Sequence, residues 1–560
     1  MEAVKKTLKD SAAMRWLVML LISGLTFSTY YFQDFYSGLK GLIETDFGFT
    51  SEEFGRMLGL TTIANVFGMI IIGGIVIDKW GIRLAGITFG GLATLGGLVS
   101  ALTAAGYFGE DKSTMLTGLI IGRVMFGSGL EVVCVVAMRT IVKWFKGHEL
   151  ALAMGINMGF GRLGSALAIA ISLDIAGVKV SPAVTFAASL IGLSLIMFLV
   201  YTIFDIRLDK QLKKADAENN VAEVEEEDFK FSDLVKLVKN NSFVYITLLC
   251  VAFYSAVFPF IQYAPDLLVN KFGFSYALPE GANIVAFGSE ALGNAMVYIT
   301  VFIFAIGITV VPNNLKSKQL KAGIRIVLIL VFAFLVYRNN EMISSWLVNG
   351  PKTSALIPLG TIIFTPIFGT IVDSRGKAAS LMMLGAFLLI FAHVSLALFD
   401  GVFFAYAGLL SLGIAFSLVP AAMWPSVAKI VPENRLGTAY ASMFTVQNWG
   451  LGLFFWGIGA LLTVVNTSVV DKIRNFREGL EAQGFTAGEI SERVKDLQIS
   501  GELPYYDYTI PILVLVLCGV ISIYLAYMLK RADKKQGYGL ELPSGAQSPR
   551  DMEAEEMANQ

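Results

Sequence analysis

The chain has 560 residues, of which 55% are apolar and 16% charged, with a formal net charge of -1, and its mean hydropathy is +0.66. No soluble domain hides that much apolar surface in one core, so a bilayer must be the solvent. Lys and Arg are scattered among short loops rather than massed, which leaves nucleic-acid binding without a basic patch.

Runs of ~20 apolar residues each cross the hydrocarbon, and about fourteen are read along the chain. Six lie at 14–36, 56–77, 84–106, 116–140, 149–172 and 183–205, so residues 1–205 are expected to form one six-helix bundle. Residues 206–242, including KQLKKADAENNVAEVEEEDFK, are too polar for lipid and read as a charged cytoplasmic linker. Residues 243–530 then hold a second six-helix bundle, and 531–560 a polar cytoplasmic tail. The second half is longer before its motif, 125 residues from Val244 to Gly369 against 60 from residue 14 to Gly74. Two inserted spans fill that gap at about 292–337, joined by a basic turn with Lys316, Lys318, Lys321 and Arg325, and are expected to be peripheral. An amphipathic loop at about 466–507 lies on the outer side, where Thr486 and Glu489 have capping-box spacing. Lys5, Lys6, Lys9, Arg15, Lys79, Lys143, Lys146, Lys429 and Arg435 put their loops and both termini in the cytoplasm by the positive-inside rule.

The pattern G-x-x-x-D-x-x-G followed by a basic residue occurs twice, as Gly74, Asp78, Gly81 and Arg83 and as Gly369, Asp373, Gly376 and Lys377. Such a repeat marks a secondary transporter of two related bundles, with its site between them near the midplane. Each carboxylate sits at the cytoplasmic end of a span, placed to cap the next helix and pair with a basic residue. These eight positions are therefore read as gating residues.

Two charges lie deep in apolar runs, Glu131 in GRVMFGSGLEVV and Arg162 in NMGFGRLGSALA. Counted from the turn at 145–147, they are 14 and 15 residues up neighbouring helices. At ~1.5 Å per residue they share one level. Either charge in hydrocarbon costs at least ~2.5–3.5 kcal/mol, so they should face each other as an ion pair or face a watery cavity. Gly127, Gly129, Gly159, Gly161 and Gly164 are expected to leave room beside them. A zwitterion fits these groups: Glu131 accepts from an ammonium, and Arg162 grips a carboxylate with two parallel hydrogen bonds.

Tyr30, Tyr31, Asp34, Tyr254, Trp424, Gln447 and Asn448 are candidate cavity linings, although aromatics are ordinary on membrane helices. Arg123, in R-x-x-x-G-x-G, and His393 are candidates for proton coupling. No cofactor and no metal is expected: the three cysteines lie inside spans, and no G-x-x-x-x-G-K-[ST] loop is present. The absence of H-E-x-x-H and G-x-S-x-G speaks against an enzyme.

The paired motifs and R-x-x-x-G-x-G resemble the major facilitator superfamily. FYSAVFPFI (253–261), WFKGHELALAMG (144–155) with Arg162 beyond it, MWPSVAKIVPENRLGTAYASM (423–443) and VQNWGLG (446–452) resemble its lysosomal dipeptide transporter family. The resemblance implies an all-α major facilitator fold and a dipeptide uniporter in which Glu131 and Arg162 hold the peptide. It covers the twelve common spans, not the inserted pair, linker or tail. Lysosomal members carry an acidic dileucine signal and work with a glycosylated accessory protein. Neither terminus shows such a signal, so a bacterial plasma membrane is expected, with the lysosomal membrane as the alternative. The expected partners are a small zwitterion and membrane lipid, without the accessory glycoprotein. A proton-coupled symporter or exporter and a non-transporting nutrient sensor are the competing readings.

Overall fold

The computed structural model describes residues 7–146, 148–219, 231–313, 315, 317–432, 435–485, 489–490, 493–494, 496–497, 500, 502, 504–543, 546–550 and 552. Thr486, Lys316 and part of the charged linker lie outside these residues.

The long helices are α1 (Ala12–Asp34), α2 (Ser51–Leu60), α3 (Met69–Ala104), α4 (Lys112–Phe145), α5 (Leu150–Ala176) and α6 (Ser181–Asn219) in the first half. The second half contributes α7 (Asn241–Phe272), α8 (Glu290–Asn313), α9 (Lys318–Arg338), α10 (Leu356–Arg375), α11 (Ala378–Leu398), α12 (Val402–Ile430), α13 (Leu436–Val465), α14 (Thr467–Ala482) and α15 (Thr509–Gln536). Thirteen helical stretches among the described residues are long and apolar enough to cross a membrane. The fourteenth crossing is hidden by broken geometry. Gly81, at φ 77° and ψ 167°, divides α3 into two crossings. The earlier of them starts with α2, continues through Ile63–Val66, and turns at Gly68 (φ 85°). Only glycine takes such positive φ without strain.

Helix starts follow local chemistry. Thr50 and Glu53 form a reciprocal capping box on α2, and Asp111 accepts from the Thr114 amide at the start of α4. In a bilayer, helices associate by close packing rather than by hydrophobic exclusion. The glycines near Glu131 and Arg162 serve that packing. A Cβ at Gly127 would overlap the Thr61 carbonyl, one at Gly129 the Phe89 carbonyl, and one at Gly164 the Phe27 carbonyl. This corrects the expectation that these glycines leave open space beside the charges.

The two inserted helices differ. Helix α8 buries Asn294, Ala295, Tyr298, Phe302 and Ala305, whereas α9 buries none of its residues. The end of the chain also departs from a free polar tail. After α15, residues 537–543 turn back beneath α10 and α11, with Leu540 fully buried.

Candidate substrate site and its closures

Helix α4 ends at Phe145, 14 residues beyond Glu131, and α5 starts at Leu150, 12 residues before Arg162. At ~1.5 Å per residue the two charges stand within ~3 Å of one level. Both side chains are partly exposed in mid-helix, and no salt bridge joins them among the described residues. Instead, the Arg162 guanidinium lies 4.5 Å from the Phe416 ring centroid of the second half, and Asn448 of the second half, whose Nδ2 donates to the Phe444 carbonyl at 2.9 Å, stands beside Glu131. Each charge thus meets a group from the opposite half.

Tyr30 stands one turn before Asp34 on α1, its ring against Gly161. Asp34 is buried, accepting from Ser165 Oγ (2.5 Å) and, across the halves, from Gln262 Nε2 (2.7 Å). Trp424 Nε1 donates to the Tyr254 hydroxyl at 3.2 Å, and the two rings stack. Phe258 also stacks on Tyr254, with ring centroids 5.2 Å apart. Gln447 is buried, its Oε1 accepting from the Cys250 thiol at 3.2 Å. Tyr31, also buried, packs edge-on against Phe186. The structure thus brings Glu131, Arg162, Tyr30, Asn448 and the Tyr254–Trp424 pair into one neighbourhood between the halves, with Asp34 as a bridge beside it.

Arg123 and His393 lie elsewhere. Arg123 is fully buried and donates to the Phe32 carbonyl (2.9 Å) and Thr61 Oγ1 (3.0 Å), with the Phe126 and Tyr36 rings around it. It fills carbonyls freed where α1 tightens into the 3-10 turn Phe35–Leu39. His393 is buried on α11, with Nδ1 at 2.9 Å from the Leu389 carbonyl and its ring edge-on to Phe260.

The outer face, the one away from both motifs, is closed by charges that the sequence reading missed. Lys40, with no exposure at all, bonds Glu44 (2.8 Å) and Asp266 of the second half (2.8 Å). Asp266 also accepts from the Tyr276 and Tyr508 hydroxyls. Lys352 of the second half bonds Asp174 and the Ala170 carbonyl of α5. Arg477 of α14 reaches over to donate to the carbonyls of Glu44 and Asp46, both at 3.1 Å. Near the ends of spans these charges looked like ordinary interfacial residues. Asp266 within YAPDLL was the one available signal.

On the opposite face the motifs are held within their own halves. Asp78 bonds Arg139 of α4 at 2.5 Å. Arg83 bonds Asp205 (3.1 Å) and Asp209 (2.7 Å) of α6. Gly376 and Lys377 take left-handed backbone at φ 69° and 60°. Asp373 lies close enough to Lys429 for their charges to act on each other. Gly74 and Gly369 have open space beside them. Among the described residues no group of three or more His, Cys, Asp or Glu side chains is placed to hold a metal ion.

Many apolar crossings in two halves, charges in mid-membrane between them and one face closed by ion pairs across the halves mark a multi-pass membrane protein of the transporter kind. The Major Facilitator Superfamily model matches residues 19–349, more than half of the chain. The chain belongs to that superfamily, whose members are transporters and not enzymes. Among curated relatives, the lysosomal dipeptide transporter MFSD1 of Danio rerio is 26% identical over 467 residues, covering 80% of this chain and 81% of the relative. Its counterpart in Homo sapiens is 26% identical over 470 residues, 80% of each. Among solved structures, a bacterial homolog of the human lysosomal transporter Spinster, inward-facing and occupied, aligns with a TM-score of 0.55 at 13% identity, over 96% of this chain and 100% of that one. A mutant of the nucleoside transporter NupG aligns at 0.51 and 14% identity, over 92% of this chain and 99% of that one. At such identities these likenesses show the fold.

Proposed function

We propose that the protein moves dipeptides with free termini across a membrane as a facilitated uniporter working by alternating access. The observation that carries this reading is the pair Glu131 and Arg162: level with each other, partly exposed in mid-helix, and not joined in a salt bridge. A buried ion pair made only for structure would close on itself, since leaving either charge unpaired in low dielectric is costly. Two separated, accessible charges suit a ligand with an ammonium at one end and a carboxylate at the other. The names of the MFSD1 relatives support the same substrate class. They also favour a lysosomal setting, whereas a plasma membrane follows from the sequence reading; the binding chemistry is the same in both.

In this reading Asn448, Tyr30, Tyr254 and Trp424 shape the space between the two charges, and Asp78 and Asp373 act in gating. Binding by purified protein, followed by thermal shift, tests it. Free dipeptides should stabilise the protein, while N-acetylated and C-amidated forms bind ~10–100-fold less well, the worth of one charge-assisted contact at ~1.5–3 kcal/mol. Equal shifts for all three forms overturn the zwitterion clamp.

A further inference from the structure

The inserted pair is read from sequence as peripheral, yet its first helix lies across the seam between the halves. Helix α8 packs on α5 of the first half and on α10 of the second. It runs antiparallel to α5. Near its outer end, Asn294 Nδ2 donates to Asp174 Oδ2 at 2.9 Å, the same carboxylate oxygen that Lys352 holds. One turn on, the Tyr298 hydroxyl donates to the Lys352 carbonyl at 2.9 Å, and its ring stacks on Trp346. Deeper in the membrane Phe302 meets Phe160 edge-on at 5.3 Å and covers Gly159, where a Cβ would come within 3.1 Å of its ring. Contacts between 159 and 174 span about 22 Å of α5 at ~1.5 Å per residue. Gly159 is one turn from Arg162.

We infer that α8 is a strut that holds the outer face closed, by tying Asp174 and the Gly159–Phe160 face of α5 to the second half. Chain connectivity assigns the direction of the coupling. The α8–α9 pair is tethered at both ends to the second half, through residues 273–289 before α8 and 339–349 after α9, so α8 travels with that half. Its contacts to α5 are the ones that part when the halves swing open on the outer side. Within a packed interface such an element is either seated or unseated, and it biases the equilibrium between the two arrangements. Helix α9 takes no share in this: it packs on α8 and on Asn340–Leu347, and its apolar side chains, such as Leu330 and Phe334, face outward. The inference rests on alternating access but not on the identity of the substrate.

The test is a distance measurement across the outer face. Spin labels at Val178 and Val348, both exposed, go into a protein whose three native cysteines have been replaced, and distances are read in lipid nanodiscs without substrate. Phe302→Ala combined with Asn294→Ala should raise the share of long outer distances severalfold over the parent. Asn294→Asp, which sets a second carboxylate against Asp174, should do so alone. Val331→Ala with Phe334→Ala on α9 should leave the distribution as in the parent. If the double variant fails to give monodisperse protein, Asn294→Asp carries the test by itself. Parent-like distances in folded Asn294→Asp protein overturn the strut, as does an equal opening caused by the α9 variant. Because no substrate is present, failure of the dipeptide reading leaves the result unaffected.

Discussion

The two copies of the G-x-x-x-D-x-x-G motif are alike in sequence and held in different ways. In the first half the lock is made of side-chain charge: Asp78 with Arg139, and Arg83 and Lys143 with Asp205 and Asp209 of α6. In the second half it is made largely of backbone. The Lys377 and Ala378 amides donate to the carbonyls of Glu541 and Leu540 at 3.0 and 3.1 Å. Ser380 donates to the Glu541 carboxylate through both its amide and its hydroxyl, and Lys429 reaches the Gly539 and Leu542 carbonyls. A Cβ at Gly376 would overlap the backbone of Glu541 and Leu542, so this glycine is required by the returning chain as well as by its own φ. The first motif is held by a network of ion pairs around the buried Asp205; its repeat is held mainly by main-chain hydrogen bonds, with a partly exposed ion pair, Lys530 with Glu541 at 3.2 Å, beside them.

Breaking the first lock at its buried centre should have the largest effect. Asp205 is 1% exposed and takes hydrogen bonds from Arg83, Lys143 and Trp144 Nε1. Asp205→Ala should cost about 3 kcal/mol, because it strands cations around an emptied site; a melting temperature within a degree of the parent would contradict this.

Ending the chain after Gln536 removes the second lock entirely. With each net hydrogen bond worth ~0.5–1.5 kcal/mol and water replacing some of them, the loss should be about 2 kcal/mol. Because most of that loss lies in main-chain hydrogen bonds, the destabilisation should change little between low and high salt, which thermal unfolding at two ionic strengths checks.

A smaller effect comes from acid. Burial alone would raise the Glu541 carboxyl, but the Ser380 hydroxyl and amide and Lys530 outweigh it and hold the group below its usual range. A depressed carboxyl contributes stability that is fully present above its unfolded value, ~4.3, and fades as pH falls through its lower folded value. Tail docking should therefore be constant at neutral pH and weaken only below about pH 4. Glu541→Gln should flatten that acid limb in amide exchange at Lys377 and Ala378.

The smallest stability change belongs to Asp78→Asn. Both partners of that pair are 40% exposed, so the loss should stay under ~1 kcal/mol. If the motif gates, uptake slows while dipeptide affinity holds; a variant that is folded but cannot bind would count against gating.

Much of the fold was legible because lipid imposes its own length rule: the apolar runs, the polar linker and the repeated motif all show directly in composition. Glu131 and Arg162 stood out for the same reason, as charges where charge is expensive. Partnerships were hidden. Lys40 and Asp266 lie 226 positions apart, and charges at span ends look alike whether they seal a face or touch headgroups. Helices α8 and α9 are about equally apolar, and hydrocarbon tails resemble leucine, so sequence could not tell the strut from the helix that faces lipid. The returning tail was missed because its lock uses main-chain groups that every sequence possesses.

Helix α9 has one more consequence. Its 21 residues span ~31 Å at ~1.5 Å each, close to the thickness of a hydrocarbon core. Lys318 and Lys321 stand at one end and Arg338 at the other, so headgroup charges on both leaflets fix its depth. Its seating is therefore matched to bilayer thickness: a thinner or thicker membrane must tilt or shift it, and any such strain passes first into the helix it leans on.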